Sequence, residues 1–261
     1  MMNKITKLFN QKNRDILSLF FTAGYPEADS TTEILEAIEE SSADMLEIGI
    51  PFSDPVADGK VIQDSSSKAL LNGMSLERLF EQLNAVKDRL SKPKLLMGYF
   101  NPLMQFGVED FCKRCSETGV DGVIIPDLPP GEYVVYREIF EKYDLLFIFL
   151  VTPGTSKERI KEISKYARGF IYAVSSYSTT GTSGASALKP GYVSKISAIS
   201  GLPVLIGFGV KDNETFRQAC SISSGAIIGS AFIRSLDDSP HGIRKSVSLF
   251  VNNIREGAPD N

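Results

Sequence analysis

Three carboxylic acids lie close together in the segment LEIGIPFSDPVADG, residues 46–59. Glu47 stands within an apolar run typical of a buried strand, where an ionised carboxylate is unfavourable. Two prolines end that run, and Asp54 and Asp58 follow in a loop. A buried carboxyl group with a raised pKa can both donate and accept a proton near neutral pH. Taken alone, however, Glu47 could be a structural ion-pair partner and Asp58 part of an ordinary Asp-Gly turn.

Other catalytic chemistries find little support in the sequence. His241 is the single histidine and lies in an SPHG turn, so Ser-His-Asp or Cys-His catalysis would depend on it alone. Cys112 and Cys115 form a lone C-x-x-C inside a helical pattern, whereas a redox motif opens a helix directly after a strand. A second such pair, which a zinc site would require, is absent from the sequence. We therefore expect no bound metal and predict that carboxylates perform the acid–base chemistry.

The composition indicates an ordinary globular protein of 261 residues, 43% hydrophobic and 23% charged. This length suits one barrel, and we predict a single domain spanning residues 1–261. The net charge of −4, without a basic block, argues against nucleic acid as a partner. The apolar run at residues 16–21 is too short for a signal peptide, and no stretch could span a bilayer. We expect a cytoplasmic protein whose first strand follows a short amphipathic helix.

Eight short apolar runs alternate with helical patterns along the chain, such as the Leu stripe of residues 75–90. The runs are almost continuously hydrophobic, as in parallel strands covered by helices on both faces. Eight such units predict an α/β fold, a (β/α)8 TIM barrel, although periodicity alone also allows an open doubly wound sheet. The predicted strands are 16–24, 44–50, 94–100, 122–128, 145–153, 169–176, 203–209 and 225–231.

A barrel places its active groups at the carboxyl ends of the strands and binds phosphate after strands seven and eight. Glu47 falls at the end of the second predicted strand. Glycine-containing turns, GFG (207–209) and GSA (229–231), end the seventh and eighth, where backbone N–H groups could approach an anion. The long Ser/Thr/Gly-rich segment 175–191 follows the sixth strand. It predicts a lid over the ligand, with a plain surface loop as the alternative.

Several motifs, in order along nearly the whole chain, resemble the tryptophan synthase α subunit family. The most specific is LEIGIPFSDPVADG followed by Ile62-Gln63. The others are FFTAGYP (20–26), GYFNP (98–102), IIPDLPPGE (124–132), LVTPGTS (150–156), IYAVS (171–175), GFGV (207–210) and GSAFI (229–233). The family has a (β/α)8 barrel and cleaves indole-3-glycerol phosphate into indole and glyceraldehyde 3-phosphate, so the resemblance implies both for this chain.

The resemblance also implies roles for individual residues. Glu47 and Asp58 match the catalytic pair: Asp58 would accept a hydrogen bond from the indole N–H, and Glu47 would move protons at indole C3 and the glycerol hydroxyl. The indole pocket would be lined by Phe20, Met97 and Tyr172. The phosphate would be held around Thr180, Gly181, Gly209, Gly229 and Ser230.

A partner subunit is implied as well. Asp54, Asn101 and Pro102 match positions near the interface with the β subunit, a pyridoxal-phosphate (PLP) enzyme that receives indole through a tunnel in an α2β2 complex. No cofactor is expected in this chain itself. Tyr177 and Ser178 depart from the family pattern in the predicted lid, which bears on lid motion and on coupling to the partner. Two alternatives stay open: another phosphosugar isomerase or synthase on a similar barrel, and a non-catalytic activator of the β subunit.

Overall fold

Parallel strands and helices alternate along the chain, as the sequence predicts. The computed structural model describes residues 2–174, 190–237 and 242–257. The strands within these residues are β1 (Ile16–Thr22), β2 (Met45–Gly49), β3 (Lys94–Met97), β4 (Gly122–Ile124), β5 (Leu146–Phe147), β6 (Leu150–Val151), β7 (Ile171–Val174), β8 (Val204–Gly207) and β9 (Gly225–Ile228).

Helices follow most of these strands, and one precedes them. They are α1 (Lys4–Gln11), α2 (Ser30–Glu40), α3 (Lys60–Leu71), α4 (Leu76–Val86), α5 (Phe100–Phe106), α6 (Val108–Glu117), α7 (Pro130–Lys142), α8 (Lys157–Tyr166), α9 (Pro190–Ser200), α10 (Asn213–Ile222), α11 (Ser230–Asp237) and α12 (Ile243–Glu256). None of the helices in the described part of the chain is long and apolar enough to cross a membrane.

The sheet closes into a ring through its fifth predicted strand. All strand pairs are parallel, in the order β5-β4-β3-β2-β1-β9-β8-β7-β6. Only Ile148 and Phe149 separate β5 from β6, and their backbone continues both ladders. The Ile148 N–H donates to the Val123 carbonyl at 2.9 Å, and the Tyr172 N–H donates to the Phe149 carbonyl at 3.0 Å. The (β/α)8 barrel is therefore confirmed, and β5 and β6 are two pieces of one predicted strand.

The short helix α1 before β1 is also confirmed, and it covers the amino-terminal end of the barrel. Asn3 caps it by accepting from the Ile5 N–H at 3.0 Å. Ile5 and Phe9 are buried, and the Phe9 ring lies 5.6 Å from that of Phe170. A Cβ at Gly122 would lie 3.0 Å from Ile5, so the helix packs closely against the strand ends. The opposite end of the barrel is left open for the site.

Several predicted strands extend too far at their carboxyl ends. The run 94–100 gives a strand only to Met97, because Phe100 already begins α5 and donates its N–H to the Asp127 carboxylate at 2.9 Å. The run 122–128 likewise ends as a strand at Ile124. Apolar character continues past the ladder because these residues are buried in the loops above the barrel, which periodicity cannot distinguish from strand.

One buried cation at the amino-terminal end of β3 is only partly compensated by nearby carboxylates. The Lys94 side chain is 1% exposed, and its Nζ has no hydrogen-bond partner among the described residues. Burial is the main cause that lowers the pKa of Lys94 to about 8; Lys4 lowers it further and Asp121 opposes this. An unpaired buried ammonium destabilises the folded state.

Replacing Lys94 with methionine is therefore expected to raise the free energy of unfolding at pH 7 by ~1–3 kcal/mol. Because the folded-state pKa lies below the ordinary 10.5, the wild type carries the full penalty below pH 8. The advantage of the variant should disappear as the pH rises towards 10.5. Urea unfolding measures this, with Lys113→Met at an exposed site on α6 as the control. A Lys94→Met protein no more stable than the wild type at pH 7 would contradict the expectation.

Candidate active site

Glu47 lies on β2 and points into the barrel. Its Cα partner on β1 is Phe20, and its side chain is fully buried. The Ser18 hydroxyl donates to Glu47 Oε1 at 3.0 Å, whereas Oε2 has no partner among the described residues. Burial raises the pKa of Glu47 to about 8, and the Ser18 hydrogen bond moderates that rise. Glu47 is therefore mainly protonated at neutral pH and holds a proton that it can transfer.

Asp58 lies in the loop between β2 and α3. The Tyr99 hydroxyl donates to Asp58 Oδ2 at 3.0 Å and accepts from the Ala57 N–H at 2.9 Å. Burial raises the pKa of Asp58 to about 6, and the hydrogen bond from Tyr99 lowers it. Asp58 is thus ionised at neutral pH, while Glu47 is protonated. The two carboxyl groups of the motif therefore occupy opposite protonation states.

The loop that carries Asp58 is held by specific contacts. The Ser66 side chain on α3 accepts from the Phe52 N–H at 2.8 Å and donates to the Phe52 carbonyl at 3.0 Å. The Phe52 and Tyr99 rings lie 5.2 Å apart. Gln63 donates to the Asp58 carbonyl at 2.9 Å. These contacts turn the two-proline loop back over the end of the barrel, so Asp58 shares a cavity lining with Gly49 and Ile50 at the end of β2.

Two adjoining cavities at the carboxyl ends of the strands form one cleft, and both include Phe20, Asp58 and Met97. The cavity over β8 and β9 spans about 500 Å³, a volume that includes space open to solvent. It is lined by Phe20, Asp58, Ile62, Met97, Tyr172, Phe208, Gly209, Val210, Ile227, Gly229 and Ser230. The cleft thus brings together the residues of the expected indole pocket with the glycine turns of the expected phosphate site.

Tyr172 lies near both carboxyl groups. Its side chain is buried on β7, and both Glu47 and Asp58 contribute to raising its pKa, after burial itself. Its ring occupies the space beside Gly207 on β8, where a Cβ would lie only 2.1 Å from the phenol oxygen. Glycine at that position is therefore required for Tyr172 to reach across the barrel.

The turns after β8 and β9 present backbone to the cleft. Gly209 has φ +79, a conformation that glycine adopts without strain. Ser230 begins the eight-residue helix α11 directly after Gly229. The free N–H groups and the dipole at a helix amino terminus favour an anion such as a phosphate.

Part of the predicted site lies outside the described residues. Thr180 and Gly181 fall there, as do His241 and most of the predicted lid segment. The predicted end of that segment at residue 191 is wrong, because α9 already begins at Pro190. Proline suits the first turn of a helix, where its missing N–H has no partner to lose.

Asp54, Asn101 and Pro102 lie at the same end of the barrel but are absent from the linings of the two cavities that form the cleft. Asp54 is exposed and accepts from the Ser53 hydroxyl at 2.5 Å. Asn101 is exposed on α5, and Pro102 lines a neighbouring groove with Phe52, Leu70 and Phe106. Val56 in the loop after β2 and Met104 on α5 do not line this groove, but each lies within three residues of one that does, and they are 86% and 53% exposed. This apolar, solvent-facing groove adjoins the cleft, because Ile50 and Phe52 line both.

Sequence reasoning missed two residues of the site, Ser18 and Tyr99. Ser18 is the one hydroxyl among the first five residues of the apolar first strand, and Tyr99 lies in the GYFNP motif, so both had a signal in the sequence. Cys112 and Cys115, in contrast, are buried on α6, and burial raises the pKa of Cys112 to about 12. Its thiolate is hardly populated at neutral pH, which disfavours redox chemistry.

The fold and the cleft together define a class: (β/α)8-barrel proteins that hold paired carboxyl groups and glycine-containing turns towards the carboxyl ends of their strands. The family model described as tryptophan synthase alpha chain matches residues 6–258. The chain therefore belongs to the tryptophan synthase alpha chain family.

Individual relatives agree with this assignment. The tryptophan synthase alpha chain of Flavobacterium psychrophilum is 50% identical over 97% of this chain and 100% of its own length. That of Christiangramia forsetii is 49% identical over 97% of this chain and 99% of its own. A crystal structure of the tryptophan synthase alpha chain from Legionella pneumophila superposes with a TM-score of 0.88 at 31% identity, covering 98% of this chain and 97% of that one.

Proposed function

We propose that this chain cleaves indole-3-glycerol phosphate into indole and glyceraldehyde 3-phosphate by a retro-aldol step, and that Glu47 and Asp58 are its catalytic residues. The observation that carries the proposal is the opposite protonation of two carboxyl groups at one apolar cleft: Asp58 lines the cleft, and Glu47 is buried on β2 opposite Phe20, which also lines it. The pKa values of Glu47 and Asp58 are raised to about 8 and about 6. This reaction needs one carboxyl group that donates a proton and one that remains ionised.

Asp58 stabilises the charge that develops on the indole. Protonation of C3 produces an indoleninium, whose N–H becomes strongly acidic and positively charged. An ionised carboxylate that accepts this hydrogen bond lowers the energy of the transition state. The Tyr99 hydroxyl, 3.0 Å from Asp58 Oδ2, orients the carboxylate and favours its ionised form.

Glu47 moves the proton. It donates to indole C3, the bond from C3 to the glycerol chain then breaks, and its electron pair restores the aromatic ring. The adjacent glycerol hydroxyl becomes the aldehyde and gives its proton to the Glu47 carboxylate, which returns to its starting state. General acid–base catalysis of this kind works best when the pKa lies near the operating pH.

The rest of the cleft would orient the substrate. Phe20, Met97 and Tyr172 offer apolar and aromatic surface for the indole ring. The phosphate would bind the N–H groups around Gly209, Gly229 and Ser230, together with Thr180 and Gly181. Holding both ends of the substrate places C3 beside the proton donor and reduces the entropic part of the barrier.

The purified chain should release indole from indole-3-glycerol phosphate, measured with and without a tryptophan synthase β subunit. No indole under either condition would contradict the proposal. Turnover of an unrelated phosphosugar instead would support an isomerase or synthase. Stimulation of the β reaction without any indole release would indicate a non-catalytic activator.

The pH dependence provides a separate prediction. kcat/KM should be bell-shaped, because the free enzyme needs Asp58 ionised and Glu47 protonated. Activity should rise with pH through about 6 and fall through about 8. The phosphate of the substrate also titrates near pH ~6. Tyr99→Phe distinguishes the titration of Asp58 from that of the phosphate. Loss of this donor raises the pKa of Asp58 and leaves that of the phosphate unchanged, so the part of the acidic limb that is due to Asp58 should move to higher pH.

The same proposal includes a β subunit as partner in an α2β2 complex, with PLP bound by that subunit and indole passed to it. We also propose that residues 1–261 form one domain and that the protein is cytoplasmic. The partner would contact the surface around Asp54, Asn101 and Pro102. This placement of the interface is supported by the apolar groove and by the exposed residues Val56 and Met104. An exposed apolar patch commonly marks an interface.

Met104→Glu is expected to weaken binding of the β subunit at least ~10-fold, because it would bury a charge in an apolar contact. Titration of α activity with the β subunit measures this, and the activity of the chain alone should be unchanged. Leu249→Glu on α12 is the matched control, because Leu249 is an apolar residue of similar size to Met104 and is exposed to a similar extent, at 42%. Equal binding by the wild type and both variants would place the interface elsewhere.

A further inference from the structure

Glu47 has two chemically different oxygens in this structure. Oε1 accepts from the Ser18 hydroxyl at 3.0 Å, and Oε2 has no hydrogen-bond partner among the described residues. Both side chains are fully buried. A carboxyl group without Ser18 could exchange its two oxygens by rotation, because nothing else described would distinguish them.

Backbone register explains why Ser18 can make this contact. Phe20 is the Cα partner of Glu47, and Ser18 is the partner of Met45. Side chains two residues apart on a strand point to the same face. Ser18 and Glu47 therefore both point into the barrel, with Ser18 two residues nearer its amino-terminal end than the Cα partner of Glu47.

We propose that Ser18 is a positioning residue, which anchors Glu47 through Oε1 and thereby assigns proton transfer to Oε2. The inference deepens the proposed function and rests on it. A hydroxyl donor suits both halves of the reaction. Oε1 accepts from Ser18 when Glu47 is ionised, and it still accepts as the carbonyl oxygen when the proton resides on Oε2. The side chain therefore keeps one orientation while it gives and regains the proton.

Other titratable groups around Glu47 are few in the described structure. Tyr172 faces it from β7, and Asp58 acts on the same phenol from the loop. The strand β1 carries no titratable side chain. On β3, Lys94 is the Cα partner of Leu46 rather than of Glu47, so it points to the opposite face. Ser18 is accordingly the direct hydrogen-bonding influence on the Glu47 carboxyl, and it favours the ionised form.

Ser18→Ala is the test. It should lower kcat about 3–10-fold near pH 7 with little change in KM, since Ser18 is absent from the lining of the cleft. It should also move the basic limb of the kcat/KM profile upwards by roughly half to one pH unit, because Glu47 loses the donor that favours ionisation. Ser18→Thr keeps a hydroxyl and should restore both values towards the wild type.

Ser30→Ala provides the control for simply losing a buried serine, because Ser30 lies on α2 away from the cleft and is 6% exposed. It should leave the basic limb where it is in the wild type. An unshifted basic limb in Ser18→Ala, or no recovery in Ser18→Thr, would overturn the proposal.

A direct titration keeps this test separate from the proposed reaction. The carboxyl signal of Glu47, identified by its loss in Glu47→Gln, can be followed against pH by infrared difference spectroscopy in the wild type and in Ser18→Ala. An upward shift in Ser18→Ala would support the positioning role even if the protein released no indole. The same midpoint in both proteins would contradict it, whatever the activity.

Discussion

Glu47→Gln is expected to lower kcat/KM for indole release by ~10²–10⁴-fold, the usual contribution of a general acid–base group. Glutamine has nearly the same shape, and its amide oxygen can still accept from Ser18 at the position of Oε1. The amide cannot, however, deliver or recover a proton. The substrate should still bind, because the apolar and phosphate-binding parts of the cleft are unchanged, so the loss should appear in kcat rather than in KM.

The free energy of unfolding of Glu47→Gln should increase relative to that of the wild type at high pH, whereas a general folding defect would lower it. Burial raises the folded-state pKa of Glu47 from 4.5 to about 8. The stability linked to this proton is therefore fully present below pH 4.5 and is lost as the pH rises through 8. Glutamine does not titrate, so urea unfolding should show the variant gaining on the wild type as the pH approaches 9.

Glu81→Gln, at an exposed position on α4, is the control for the charge change. It should leave activity and the pH dependence of stability as in the wild type. Substantial turnover by Glu47→Gln would remove the basis for assigning the proton transfer to this residue.

The second large effect is expected for Asp58→Asn, at ~10²–10³-fold in kcat, comparable to losing one preorganised electrostatic group in other active sites. The neutral amide can still contact the indole N–H through its oxygen, but it no longer offsets the positive charge of the indoleninium. Single-turnover measurements of indole release can isolate this step from product release.

Tyr99→Phe gives a graded comparison at the same site. It removes the donor at 3.0 Å from Asp58 Oδ2 but leaves the carboxylate in place. We expect a smaller loss than for Asp58→Asn, and it should diminish as the pH rises above the elevated pKa of Asp58. If Asp58→Asn were no worse than Tyr99→Phe at pH 8, the charge of Asp58 would not be the operative feature.

Much of the architecture could be predicted from local sequence. Eight apolar runs separated by helical patterns predicted parallel strands, because strands covered on both faces are apolar along their whole length. Their number favoured a barrel, but closure of the sheet was visible only in the structure, in the backbone hydrogen bonds of Ile148 and Phe149. The amphipathic segment before the first strand predicted α1, because its apolar residues recur at helical spacing and form one buried face. The boundaries were less accurate, as at Met97 and Ile124, since a buried loop residue and a strand residue have the same apolar character.

The sequence by itself determined which chemistry was available: a buried Glu47, an Asp58 beyond two prolines, and glycines at the last two strand ends. Only the tertiary structure decided how these groups differ. Ser18 and Tyr99 are 29 and 41 positions from the carboxyl groups that they contact, and closure of the ring brings Tyr172 beside both. A pKa depends on burial and on neighbours in space, so the opposite protonation of Glu47 and Asp58 arises only once the barrel has formed.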